Sequence, residues 1–330
     1  MNPPLRIAAA CVAVVAAIAI AQSCGGITDD APTGEATTLD VAGVTTGINE
    51  VATVIPICRK AGSLTASADR DPAIEVDSWA ASFLEIVKDQ TLRVGLNVSK
   101  LTSTKPADQF GDCGGRITYP TYSHTSGTTT GTYAFENYCS IDSDTGERTT
   151  SNGSITFKDT GTPSASGPIT SKVEASSQSG VTTVTRSSSG AQLSSHKISF
   201  TNMVYTPGVP GGSPTASKPD QISFDEVTNF DAVTGKTYRQ TNLKSTSYDT
   251  SAGGQQASVS GRGYRSNGEY FDITTTTPMA LNSAGDYTGG QFTFKGANNS
   301  VAVLTLVPGS TLQGTMTVNG TPLTSVPLCK

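Results

Sequence analysis

Charge, aromatic rings and histidine are all scarce in this chain. Of its 330 residues, 15% are charged and 6% aromatic, with one Trp and two His. Lys and Arg never cluster around aromatics, and the net charge is −5. That balance excludes a general nucleic-acid binder, which needs a basic surface to replace counterions. Two histidines also leave little for nucleophilic chemistry. There is no Gly-x-Ser-x-Gly elbow, no phosphate loop and no haem-attachment Cys-x-x-Cys-His. His124 falls in a Ser/Thr/Gly-rich turn and His196 just ahead of a strand, so both read as plain surface residues. Glu136, Glu226 and Asp272 are carboxylates of the type that pair in glycoside hydrolysis, a reaction that depends on their separation in space.

Hydrophobic residues are few as well, at 35%. Disorder is one explanation for such a composition. Recurrent Ile-x-Phe and Tyr-x-Phe alternation and the low net charge argue against it. The other is a β-protein with one buried face per strand and a wet, Ser/Thr-rich opposite face.

The strongest strand signal runs from Cys113 to Phe157. Cys113–Tyr119, Gly131–Cys139 and Ser151–Phe157 read as three consecutive antiparallel strands. Tyr133, Phe135, Asn137 and Cys139 alternate onto one face. Further strands are expected at Ile169–Ala175, Val181–Arg186, Lys197–Tyr205, Gln221–Phe230, Lys236–Tyr248, Gln256–Tyr264, Glu269–Thr275, Gln291–Phe294, Ser300–Val307 and Gly314–Val318. Gly208–Pro214 reads as a long turn within one sheet system. Asp142–Glu147 has a D-x-D-x-G start that suits Ca²⁺, but it lacks the rest of an EF-hand ligand set and fits a hairpin turn better.

Ahead of the strands, two helices are expected. Val41, Val44, Ile48, Val51 and Ile55 form a stripe over 37–56 that Pro56 ends. Asp71-Pro72 caps a second helix over 72–90, with Val76, Trp79, Phe83 and Ile86 or Val87 on one face. The expected fold class is mainly β: a large antiparallel meander, curled into an open sheet or half-barrel, with the two helices packed on it. Residues 37–330 form a single domain in this reading. Trp79, Phe83, Tyr133 and Phe135 are the residues expected to line a cavity, should the concave face hold an apolar ligand.

The one long apolar run, Ile7–Ala21, follows Arg6 and is too short for a comfortable membrane span. Residues 1–23 therefore read as a secretory signal peptide. Without Arg6 the balance is 21 basic against 27 acidic residues, a net charge of −6. Ala21-Gln22-Ser23-Cys24-Gly25-Gly26 resembles a bacterial lipobox. The resemblance implies cleavage before Cys24, a lipid on Cys24 and a tether over 24–36. The blander alternative is ordinary signal cleavage nearby, with Cys24 free or absent. By resemblance to enterobacterial lipoproteins, Gly25 in place of Asp implies the outer membrane. With Cys11 removed and Cys24 lipidated, Cys58, Cys113, Cys139 and Cys329 remain. An even count in an exported chain suggests two disulfides, with three pairings open. Hairpin geometry favours Cys113–Cys139, leaving Cys58–Cys329. No C-x-x-C spacing supports zinc.

Ser260–Thr275, with Cys113-Gly114-Gly115, Tyr133–Cys139, Asn152-Gly153-Ser154 and Lys295–Asn298, resembles a group of uncharacterised proteobacterial envelope proteins across roughly Gly111 to Val307. The resemblance implies an envelope location and transfers no activity. The function expected is structural or interactive, in an exported, lipid-anchored sheet. The alternative is a half-barrel carrier of an apolar ligand or lipid, with a hydrolase third. The partners expected are the membrane, through Cys24, and either a protein or an apolar ligand. No nucleic acid, metal or cofactor is expected.

Overall fold

The computed structural model describes residues 35–36, 105–142, 145–162, 169–233, 235–264, 269–283, 286–309 and 313–326. The expected helices at 37–56 and 72–90, with Trp79 and Phe83, lie outside the described residues. So do Cys24 and the Cys58–Cys329 pairing.

Among the described residues, fourteen strands form one antiparallel sheet, not closed into a barrel, with each strand hydrogen-bonded to the next in chain order. They are β1 (Gln109–Phe110), β2 (Arg116–Thr125), β3 (Thr128–Ile141), β4 (Arg148–Thr162), β5 (Ile169–Arg186), β6 (Gln192–Thr206) and β7 (Asp220–Asp231). The second half is β8 (Lys236–Asp249), β9 (Gln255–Tyr264), β10 (Tyr270–Leu281), β11 (Tyr287–Lys295), β12 (Val301–Val307), β13 (Gln313–Val318) and β14 (Thr321–Val326). β1 and β14, short edge strands, have no counterpart among the expected segments. The loop containing Gly208–Pro214 connects β6 to β7, which pair with each other, so it is a long turn within the sheet. Gly208 N–H caps the Asp220 carboxylate at 2.9 Å, which holds the loop's two ends together.

A meander sets its turns alternately at two ends. The turns after β1, β3, β5, β7, β9, β11 and β13 share one, the proximal end; the turns after the even strands share the distal end. The chain also arrives at the proximal end. Ala36 bridges Tyr270, the first residue of β10, in parallel, and Tyr270 N–H donates to Glu35 O at 2.9 Å.

Period-two alternation makes the core. β6 buries Ser194, His196, Ile198 and Phe200 in alternate positions, then Met203 and Tyr205 after a register shift. One continuous apolar cluster extends from Ile117 in β2 to Val318 in β13. Edge-on ring pairs punctuate it: Phe200 with Phe224 at 5.9 Å and Phe271 with Phe294 at 6.2 Å.

Three asparagines inside strands have left-handed backbones: Asn137 (φ 51°), Asn202 (φ 48°) and Asn242 (φ 53°). Each sits at a β-bulge, where asparagine tolerates positive φ better than other side chains with a Cβ. The peptide N–H freed from the ladder finds a side chain on the neighbouring strand. Asn137 N–H donates to Asn152 Oδ1 at 2.9 Å, and Asn202 N–H to Ser176 Oγ at 3.0 Å.

The first of these bulges corrects the expected facing of β3. Phe135 pairs with Gly153 but Tyr138 pairs with Ser151, so three steps on β3 match two on β4. Tyr138 therefore joins Tyr133 and Phe135 on the core face, its ring 6.2 Å from Phe135. Cys139 turns to the other face. Similarly, Ile169–Ala175 and Val181–Arg186 are one strand of 18 residues. A bulge at 178–180 bridges them, and Ser177 and Val181 both keep the inner face opposite Phe200 and Ile198. Asn152-Gly153, whose composition suggests turn chemistry, lies within β4.

Candidate functional site

The Cys113–Cys139 disulfide is formed, with Cα atoms 5.1 Å apart. It closes the proximal end of the β2–β3 hairpin. The backbones there are in direct contact: Cys139 N–H donates to Gly114 O at 3.0 Å and Cys113 N–H to Cys139 O at 3.3 Å. Gly115 (φ 66°) permits this approach, because a Cβ at that position would lie 1.9 Å from Asn137 O.

Tyr133 and Phe135, two of the expected cavity-lining residues, are buried in the apolar cluster. Their rings meet edge-on at 5.6 Å, and Tyr133 also packs 6.0 Å from Phe157. These surfaces are occupied by each other.

The inner face is apolar in its middle and polar towards both ends. At the proximal end, register places Ser151 (β4), Thr183 (β5), His196 (β6) and Asp231 (β7) in one transverse row, each the direct neighbour of the next. All four are buried. His196 is 1% exposed, which corrects its reading as a surface residue. It lies in β6 because the strand begins at Gln192, five residues ahead of the Lys197 at which the apolar pattern marks it in the sequence. Burial pushes its pKa down to about 4, against the Asp231 carboxylate and the Asn229 side chain, which both favour the charged ring. Asp231 Oδ1 also accepts from Val233 N–H at 2.8 Å. The order Thr–His–Asp has the composition of a nucleophile, base and orienting acid. It lacks their geometry, since the Thr183 hydroxyl makes no hydrogen bond to the ring and the row is closed to substrate.

A second row marks the distal end. His124 (β2), Thr129 (β3) and Asp159 (β4) are successive neighbours, and His124 Nδ1 lies 2.8 Å from Thr129 Oγ1. His124 belongs to β2, not to the turn that follows.

The three candidate carboxylates are each held by an arginine. Arg116 Nε donates to Glu136 at 2.8 Å, Arg239 donates to Glu226 at 2.8 Å, and Arg262 grips Asp272 through two bonds of 2.7 and 3.1 Å. Arg116 and Thr118 hold the Glu136 carboxyl below its ordinary range. Glu226 and Asp272 share a row but are three strand spacings apart. That is about 14 Å at the usual strand separation, beyond the roughly 9.5 Å limit for a pair that hydrolyses glycosides.

Sequence reasoning missed the patch built around two of these pairs. Arg262 lies over the Tyr270 ring at 3.8 Å, Arg239 over the Tyr264 ring at 4.8 Å, and the two tyrosines are 5.7 Å apart. The signal was Arg262-x-Tyr264 and Tyr270-x-Asp272, polar and aromatic residues at period two on the face opposite Gly263 and Phe271.

Asp142 and Thr145–Glu147 belong to the connection that joins β3 to β4. Asp142 Oδ1 accepts from Thr145 N–H at 2.9 Å, and Asp142 O from Gly146 N–H at 2.8 Å. Among the described residues, no three His, Cys, Asp or Glu side chains gather as a metal site.

No family model matches the chain, and neither a curated protein nor a solved structure matches it.

Proposed function

We propose that this is an exported, lipid-anchored protein of the bacterial cell envelope, an interaction platform rather than an enzyme. The observation that carries the reading is the division of the sheet into two faces. One face gathers the apolar side chains into a single buried cluster. The other presents hydroxyl ladders such as Thr121–Thr132 (3.0 Å) and Thr276–Thr293 (2.6 Å), together with the Arg–Tyr patch of β8–β10. A polar, internally braced face of this kind suits contact with other macromolecules in a wet compartment. The signal-like residues 1–23, the lipobox-like run ending at Cys24 and the resemblance to envelope proteins supply the location.

In this reading the sheet curls into an open half-barrel. The helical segments 37–56 and 72–90 lie against its apolar face, with Trp79 and Phe83 turned towards it, and Cys58–Cys329 ties the N-terminal region to the last strand. The burial of that apolar face is the observation that supports this arrangement.

One observation favours a carrier as the second reading. The polar rows at His124–Asp159 and Ser151–Asp231 bracket an apolar belt, an arrangement that suits an amphiphile lying across the strands.

One measurement tests the anchor and a second, on membrane-extracted protein, separates the two readings. Membrane fractionation of Cys24→Ala is expected to move the protein to the soluble fraction; retention in the membrane overturns the anchor. Native mass spectrometry is expected to show no lipid beyond that on Cys24. A further bound lipid replaces the platform with the carrier.

A further inference from the structure

We infer that the proximal end of the sheet faces the lipid bilayer, so that the strands stand upright on the membrane with their odd-numbered turns against the phospholipid headgroups. The inference rests on the lipid-anchor reading above.

Three observations point to the same end. The chain enters there, through Glu35–Ala36 against Tyr270. Eleven residue steps lead from Cys24 to Glu35, a reach of at most about 40 Å even when fully extended. β7, with 12 residues, is itself about 40 Å long at ~3.3 Å per residue. A tether that docks at the proximal end before reaching its lipid therefore favours that end over the distal one.

The exposed apolar side chains agree. Among the described residues there are four large ones: Phe110 (77% exposed), Val233 (53%), Ile141 (40%) and Val307 (38%). Phe110, Ile141 and Val233 border the turns after β1, β3 and β7, all proximal; Val307 ends β12 at the distal end. Single exposed apolar residues are ordinary. Three on one rim, including the two most exposed, are what a bilayer surface would take up separately. They are spread over six strand spacings, roughly 29 Å, which is too dispersed for one pocket on a protein partner.

The charges on this rim are of both signs, with Asp112, Asp142, Glu147 and Glu269 in or beside the same turns, and its basic residues are placed to meet headgroup phosphates. Arg148 opens β4 and Arg186 closes β5; they are direct cross-strand partners, and both are exposed. Like charges placed opposite one another are unfavourable in isolation. A phosphate headgroup between them removes that cost. Lys295, also exposed, ends β11 on the same rim.

The test uses full-length lipidated protein in vesicles of phosphatidylethanolamine and phosphatidylglycerol that carry a nitroxide on the headgroup. Val233→Cys and Val307→Cys are each labelled with bimane, with the similarly treated parent as background. Several-fold stronger quenching at position 233 than at 307 is expected. Equal quenching, or stronger quenching at 307, overturns the orientation. A label at 233 that is shielded before vesicles are added, and unchanged by them, assigns the rim to a second copy and also overturns it. Flotation of the unlabelled parent with vesicles reads the anchor separately: failure to float removes the anchor reading itself, whereas flotation with equal quenching removes only the orientation.

Discussion

Removing the Cys113–Cys139 cross-link tests how the hairpin contributes to stability. The two cysteines are 26 residues apart. Closing a loop of that length in the unfolded chain is worth about 3.5 kcal/mol in the chain-entropy description. The native contacts are not the source of this term. The backbone bonds between Cys113, Gly114 and Cys139 persist without the sulfur link. Alanine is the replacement of choice, because Cys139 is buried and a serine hydroxyl there would add a desolvation cost of about 1–3 kcal/mol. Cys113→Ala/Cys139→Ala should therefore retain its folded-state spectrum and unfold about 1 M earlier in urea, given a slope near 3 kcal/mol/M for a sheet of this size. Reductant added to the wild type should reproduce at least that shift. Reductant added to the double variant reports any other cross-link, including Cys58–Cys329. Coincident midpoints for wild type and double variant, both oxidised, would refute the reasoning.

His196 supplies a pH dependence. Burial holds its folded pKa near 4, below its unfolded value of 6.5, so the unfolded chain binds the proton first. Its contribution is fully present above pH 6.5 and is lost as pH falls towards 4, at up to about 1.4 kcal/mol per pH unit. His196→Gln should flatten the urea midpoint over that window relative to wild type; parallel curves would exclude a buried neutral histidine. Gly263→Ala probes packing without backbone strain, since an added Cβ would lie 2.6 Å from the Phe271 ring, which is buried against Phe294. A loss of about 1–3 kcal/mol is expected in chemical denaturation, and an unchanged midpoint would show that the ring moves freely.

The strands themselves were legible in the sequence because one buried face imposes period two. Lys236–Tyr248 and Gln256–Tyr264 fall within a residue or so of β8 and β9 for that reason. The bulges were not legible. Asn137 leaves the hydrophobic alternation of β3 intact on paper, and its left-handed backbone is what moves Tyr138 to the core and Cys139 away from it. At 178–180 the polar residues that look like a turn are an excursion within one strand. His196 looked like a surface residue because local pattern carries no information about what lies across two neighbouring strands. The row it shares with Thr183 and Asp231 exists only through register. The hairpin disulfide was readable because its two cysteines bound adjacent strands. The Arg–Tyr patch was not, because it draws on β7 to β10 at once.

The central claim is that this sheet is held at a membrane by its own N-terminus. Intact mass spectrometry of the protein extracted from the membrane fraction tests it most directly. The account predicts a chain lacking residues 1–23, with the mass of a lipid modification localised to Cys24. A chain that begins elsewhere, or carries an unmodified Cys24, would contradict it.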